Sequence, residues 1–230
     1  MIQILFILLS CISSKEQDIQ AHSQIVIEEM YFVCSDKPEQ KDNCGIQTRV
    51  SKGSATRISW NDKYYWLTAG HVCNLEKSKG SNNNFVISKV FLANIGYSEE
   101  TEELSTMIYE ENYDLCIIKA KEGKTRELAK SIPNNGDNVH AYAYPGGVFD
   151  KDIYPLYQGT WNGRMHRRCV VSVPVVGGSS GSAILNNKQQ IVSVVSSTMQ
   201  GFQHFTLTVC LENILDFVKK ADTILDSKDQ

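Results

Sequence analysis

A CxxC pair, an HExxH segment, a Walker loop and an internal repeat are all missing from this 230-residue chain. Their absence leaves no sequence sign of a metal, a nucleotide or any other cofactor. An excess of either charge is lacking too. The net charge is −3, too near neutral for nucleic-acid binding driven by phosphate neutralisation. Apolar residues make up 42% of the chain, ample for a core, yet the apolar run that opens it, Met1 to Cys11, is too short to cross a bilayer. No Lys or Arg precedes that run, but its length and composition fit the apolar core of a signal peptide. Leu8-Leu9-Ser10-Cys11 has the form of a bacterial lipobox, in which the cysteine becomes a lipidated N-terminus. The expectation is an exported, periplasmic or cell-envelope protein that meets a membrane only through a lipid on Cys11. Residues 12–23 read as a polar tether, with the folded part beginning at Gln24.

The seven cysteines are Cys11, Cys34, Cys44, Cys73, Cys116, Cys169 and Cys210. With Cys11 lipidated, six remain to pair in an oxidising compartment. Cys34 and Cys44 flank a polar loop and form the expected bridge. Cys116, inside an apolar strand, reads as a buried thiol.

From Ile25 onward, short runs rich in β-branched and aromatic residues are punctuated by Gly, Asn and Asp, which indicates an antiparallel all-β protein. The acidic stretch Glu99 to Glu103 reads as a solvated loop, as does the basic stretch Arg164 to Arg168. Residues 121–132 are polar and read as a link between two halves. Leu211, Ile214, Leu215, Val218, Ala221, Ile224 and Leu225 recur at helical spacing, so an amphipathic helix closes the chain.

The chemistry centres on Val173 to Leu185, where apolar runs enter and leave the turn Gly177-Gly178-Ser179-Ser180-Gly181-Ser182. Such a turn presents a serine with free backbone N–H groups beside it, the nucleophile and oxyanion hole of an acyl-transfer site. Two registers are available. A G-x-S-x-G elbow on Ser179, as in α/β-hydrolase esterases, needs an acid and then a histidine downstream. The only downstream histidine, His204, has no acid between it and the turn. With Ser180 as nucleophile, histidine and aspartate lie upstream in order. His71 lies just past the apolar run Tyr64 to Leu67, and Asp114 heads the apolar run Leu115 to Ile118.

Thr68-Ala69-Gly70-His71, Asp114-Leu115-Cys116-Ile117-Ile118-Lys119 and Gly178-Ser179-Ser180-Gly181-Ser182 resemble the three motifs of trypsin/chymotrypsin-fold serine endopeptidases. Asp137 to Gly147, Gln190 to Val195 and Phe205 to Thr208 are similar to HtrA-like bacterial branches, and the glutamyl endopeptidases are a second similar branch. The resemblance implies two six-stranded antiparallel β-barrels, at about 24–122 and 133–210, with a terminal helix at 211–226. It implies His71 as base, Asp114 as its orienting partner, Ser180 as nucleophile and the amides of Gly178 and Ser180 as oxyanion hole. The substrate, a protein or peptide, would pair with Ser193, Val194 and Val195, and His204 would line a pocket favouring Glu. Ser179 stands where trypsins carry an aspartate for zymogen activation, so that device is not expected. The chain beyond the helix is too short for the PDZ domain of many HtrA proteins. The rival reading is a catalytically silent protease fold that serves as a binding module.

Overall fold

The computed structural model describes residues 19–34, 44–73, 85–96, 100–145, 156–199 and 201–228. The signal-like segment, Cys11 and most of the expected tether lie outside them. The folded part includes residues before Gln24: Ile19, Ala21, His22 and Ser23 are buried.

The first half is one sheet of β1 (His22–Cys34), β2 (Cys44–Trp60), β3 (Lys63–Ala69), β4 (Phe85–Ile95), β5 (Thr101–Leu104), β6 (Met107–Glu110) and β7 (Leu115–Lys119). Its spatial order is β5-β4-β1-β2-β3-β7-β6. This departs from the expected six-stranded barrel, because β5 and β6 remain as edges of a curled seven-stranded sheet. The second half is the expected closed six-stranded barrel. It is built from β8 (Asn138–Tyr142), β9 (Leu156–Met165), β10 (Arg168–Val171), β11 (Ala183–Leu185), β12 (Ile191–Met199) and β13 (Phe202–Cys210). Among the described residues two helices complete the fold, the short α1 (Gly70–Cys73) and the C-terminal α2 (Leu211–Lys228).

Local chemistry accounts for these elements. Asn61 and Asp62 both have positive φ, 50° and 61°, and close the two-residue hairpin between β2 and β3. The β7 run Leu115-Cys116-Ile117-Ile118 is buried throughout, as expected of a strand covered on both faces. The 121–132 link bridges the halves, with Arg126 pairing with Ile58 and Leu128 with Ile191.

The helix is where the halves share a core. Ile214, Phe217, Val218, Ala221 and Leu225 pack with Tyr65, Leu67 and Ile117 of the sheet and with Leu185, Ile191 and Val209 of the barrel. Asp222 is buried on the same helix. It accepts hydrogen bonds from Tyr65 Oη at 2.7 Å, Asn61 Nδ2 at 2.7 Å and Lys63 Nζ at 3.1 Å. Burial alone would raise its pKa, but those three donors outweigh it and hold the carboxyl below its ordinary value. The stability it contributes is present above the usual carboxylate range and is lost as pH falls through the depressed value. Urea melts of the wild type should therefore weaken in acid more steeply than those of Asp222→Asn; parallel pH dependences would overturn the assignment.

Two expected loops prove to contain strand residues. Glu102, in the acidic stretch, lies on β5 and is buried, pairing with Arg57 at 3.3 Å and accepting from Trp66 Nε1 at 3.2 Å. Alternation on a short edge strand turns it inward, where a buried cation compensates its charge. Arg164 to Arg168 is the tight β9–β10 hairpin, with His166 at φ 54° and Arg168 already in the ladder. Arg164 forms an ion pair with Glu212. Cys116 is not a free thiol. It is bonded to Cys73, and Cys169 is bonded to Cys210. Cys44 is disulfide-bonded too, and its register partner across β1–β2 is Cys34, whose side chain lies outside the described set.

Candidate active site

The strand β3 ends at Ala69 and the chain turns at once into α1, so His71 stands at the mouth between the halves with its side chain 49% exposed. Asp114 ends the turn before β7. Its φ of 57° lies in the left-handed region, which aspartate tolerates better than most residues. β3 and β7 are antiparallel neighbours with Ala69 opposite Leu115, so register brings the two residues together. Asp114 Oδ1 accepts from the His71 backbone N–H at 2.8 Å and faces His71 Nδ1 at 2.9 Å. A carboxylate only accepts, so the proton sits on Nδ1 and the lone pair on Nε2. Burial opposes the charge on Asp114, but hydrogen bonds from His71 and Ser196 prevail and hold its pKa below the ordinary value. The Cys73–Cys116 disulfide links the two segments again, two residues past each side chain.

The serine turn reaches the same mouth through β2. A Cβ on Gly53 would meet the Val72 side chain at 2.7 Å and the Ser180 carbonyl oxygen at 3.3 Å, so only glycine lets the turn and the histidine segment close on this strand. Ser54 N–H donates to Ser180 O at 2.7 Å, and Ser54 Oγ donates to Gly178 O at 2.8 Å while accepting from Tyr144 N–H at 2.9 Å. Gly181 has φ 88°, and a Cβ there would strike Ser54 O and Thr68 Oγ1 at 2.1 Å. With both carbonyls tied back, the amides of Gly178 and Ser180 donate to nothing among the described residues. The turn can therefore offer two N–H groups to an anion.

The two serines differ in environment. Ser179 is fully buried, and its hydroxyl accepts from Val176 N–H at 3.3 Å within the turn. Ser180 is half-buried, and its hydroxyl has no hydrogen-bond partner among the described residues.

Other expected site residues are not where the sequence put them. Ser193, Val194 and Val195 are buried on β12 and flanked on both sides, by β11 and by β13. Val195 N–H donates to Ser182 O and Val195 O accepts from Gly181 N–H, so no backbone edge is open there. The open edge starts after β11 has turned away, at Ser197 to Met199, where β13 is the only strand partner among the described residues. His204 is exposed on β13, in the register break between the Met199–Phe202 and Thr198–Thr206 pairs. Ser196 was not foreseen, yet its Oγ donates to Asp114 Oδ2. It occupies a break in register between Val195 and Ser197, so counting alternate residues cannot place it.

A cleft of about 560 Å³ opens beside the pair, lined by His71, Asp114, Tyr109, Glu111, Arg168 and Ser197 among others.

A family model described as the trypsin-like peptidase domain matches residues 53–194, more than half of the chain. The chain belongs to the trypsin-like peptidase family. Solved members of similar fold include the serine endoprotease from Yersinia pestis, at 15% identity and TM-score 0.61, covering 89% of this chain and 64% of that one. The HtrA-type protease AlgW, solved with a decapeptide, has 16% identity, TM-score 0.64 and coverages of 89% and 65%. The Rv3671c protease from M. tuberculosis in its active form has 15% identity, TM-score 0.56 and coverages of 86% and 78%. This chain thus spans about two thirds of the length of the HtrA-type structures it resembles. At these identities the likeness is one of fold. No curated protein sequence matches.

Proposed function

We propose that this family member is a serine endopeptidase acting through His71, Asp114 and Ser180. The observation that carries the reading is the His71–Asp114 pair, with Nε2 left as the basic nitrogen, at the same mouth as a serine turn whose Gly178 and Ser180 amides are unused. In this reading Ser180 Oγ attacks a peptide carbonyl as Nε2 takes its proton, and the two amides receive the oxyanion. The tetrahedral adduct collapses as Nε2 returns the proton to the leaving amine, giving an acyl-enzyme that water resolves by the same route. Substrate backbone pairs with the open edge at Ser197 to Met199. The Cys73–Cys116 and Cys169–Cys210 disulfides support an exported protein, since cystines persist in oxidising compartments. Lipid on Cys11 remains part of this proposal.

The test is labelling by a fluorophosphonate probe. Stoichiometric labelling of the wild type is the expected result; none under mild conditions would overturn the reading in favour of a silent protease fold that binds without cleaving. Ser54→Ala tests the support of the turn. Without its hydroxyl the Gly178 carbonyl and the Tyr144 amide lose their shared partner; labelling should slow by about 10-fold and the melting temperature should fall by a few degrees. An unaltered labelling rate would show that Ser54 does not hold the turn.

A further inference from the structure

Beyond Asp114, the hydrogen-bonded chain continues to a cation. Arg168, the first residue of β10, is half-buried, and its Nη1 donates to Ser196 Oγ at 3.2 Å and to the Tyr113 carbonyl at 3.4 Å. Guanidinium nitrogens only donate, so Ser196 Oγ must accept from Arg168 and has a single proton to give, which goes to Asp114 Oδ2. The direction of the whole chain, Arg168 to Ser196 to Asp114 from one side and His71 to Asp114 from the other, is thereby set. The second bond, to Tyr113 O, clamps the backbone immediately before Asp114, where φ is positive.

We infer that Arg168 is a positioning residue for the catalytic pair: it orients the Ser196 hydroxyl and, through it, the Asp114 carboxylate that fixes the His71 tautomer. The inference deepens the serine-endopeptidase reading and rests on it for its catalytic meaning. The other titratable groups lining the cleft are Tyr109 from β6 and Glu111 from the turn before Asp114.

Arg168→Gln removes the guanidinium that spans Ser196 Oγ and the Tyr113 carbonyl, so the Ser196 hydroxyl is free to turn and the Asp114 carboxylate loses its fixed orientation. The downfield proton NMR resonance of the His71 Nδ1–H donated to Asp114, read in the oxidised full domain, needs no turnover and should shift upfield and broaden. In the same variant kcat should fall about 10-fold with KM nearly constant. Arg168→Lys, which can still donate to Ser196 Oγ, should restore most of both. If the wild type neither labels nor cleaves, the endopeptidase reading fails while the Nδ1–H resonance still decides the role of Arg168. A resonance unchanged in Arg168→Gln would overturn the inference. Should that variant not fold, Ser196→Ala cuts the same link; a shifted resonance there supports the chain of bonds, and an unchanged one overturns it.

Discussion

Ser180→Ala is expected to abolish fluorophosphonate labelling and to lower peptide hydrolysis by about 10⁴-fold or more, the scale of losing the nucleophile from an acyl-transfer site. Ser179→Ala is expected to cost no more than about 10-fold. The contrast follows from the turn itself. Ser179 points inward, fully buried, and caps the Val176 amide. Its loss would leave that donor unpaired, a penalty of about 1 kcal/mol paid in turn stability and not in chemistry. Ser180 carries the free hydroxyl next to the two unused amides. Persistent labelling of Ser180→Ala, with loss in Ser179→Ala, would reverse the assignment.

Asp114→Asn should be almost as damaging, with kcat reduced by about 10⁴-fold at neutral pH. All the groups around this carboxylate donate: His71 N–H and Nδ1–H on Oδ1, and Ser196 on Oδ2. An amide turns one acceptor into a donor, so whichever way the asparagine faces, its NH₂ meets a donor. If it faces His71, the ring must take the opposite tautomer, and Nε2 then carries the proton that it should be accepting. If it faces Ser196, the hydroxyl loses its acceptor and must turn away from the pair. A stopped-flow or steady-state loss of less than 10-fold, with the domain folded, would show that Asp114 does not govern the state of His71.

The three motifs were legible because each is local. A histidine just past a strand, an aspartate heading one and a serine in a glycine turn are visible in a linear chain, and their order separates this arrangement from the α/β-hydrolase elbow. The terminal helix was legible for the same reason, since its 3.6-residue period is written in consecutive residues. The open edge strand was misplaced because pairing on both sides of Ser193 to Val195 depends on where β11 ends, a fact of the barrel and not of β12. Glu102 reads as solvent-facing because the partners that bury it, Arg57 and Trp66, come from strands far along the chain.

Local pattern and composition by themselves determined a β-rich chain closed by a helix, and the resemblance of three short motifs marked it as trypsin-like and singled out the residues of its candidate site. Tertiary structure alone decided that the first half is an open curled sheet, that Cys73 pairs with Cys116, and that Ser54, Arg168 and Ser196 surround the site. The physical reason is the same in each case. Backbone period and turn chemistry are short-range, whereas a hydrogen bond or disulfide between distant strands depends on register and sheet closure, which the whole chain sets together.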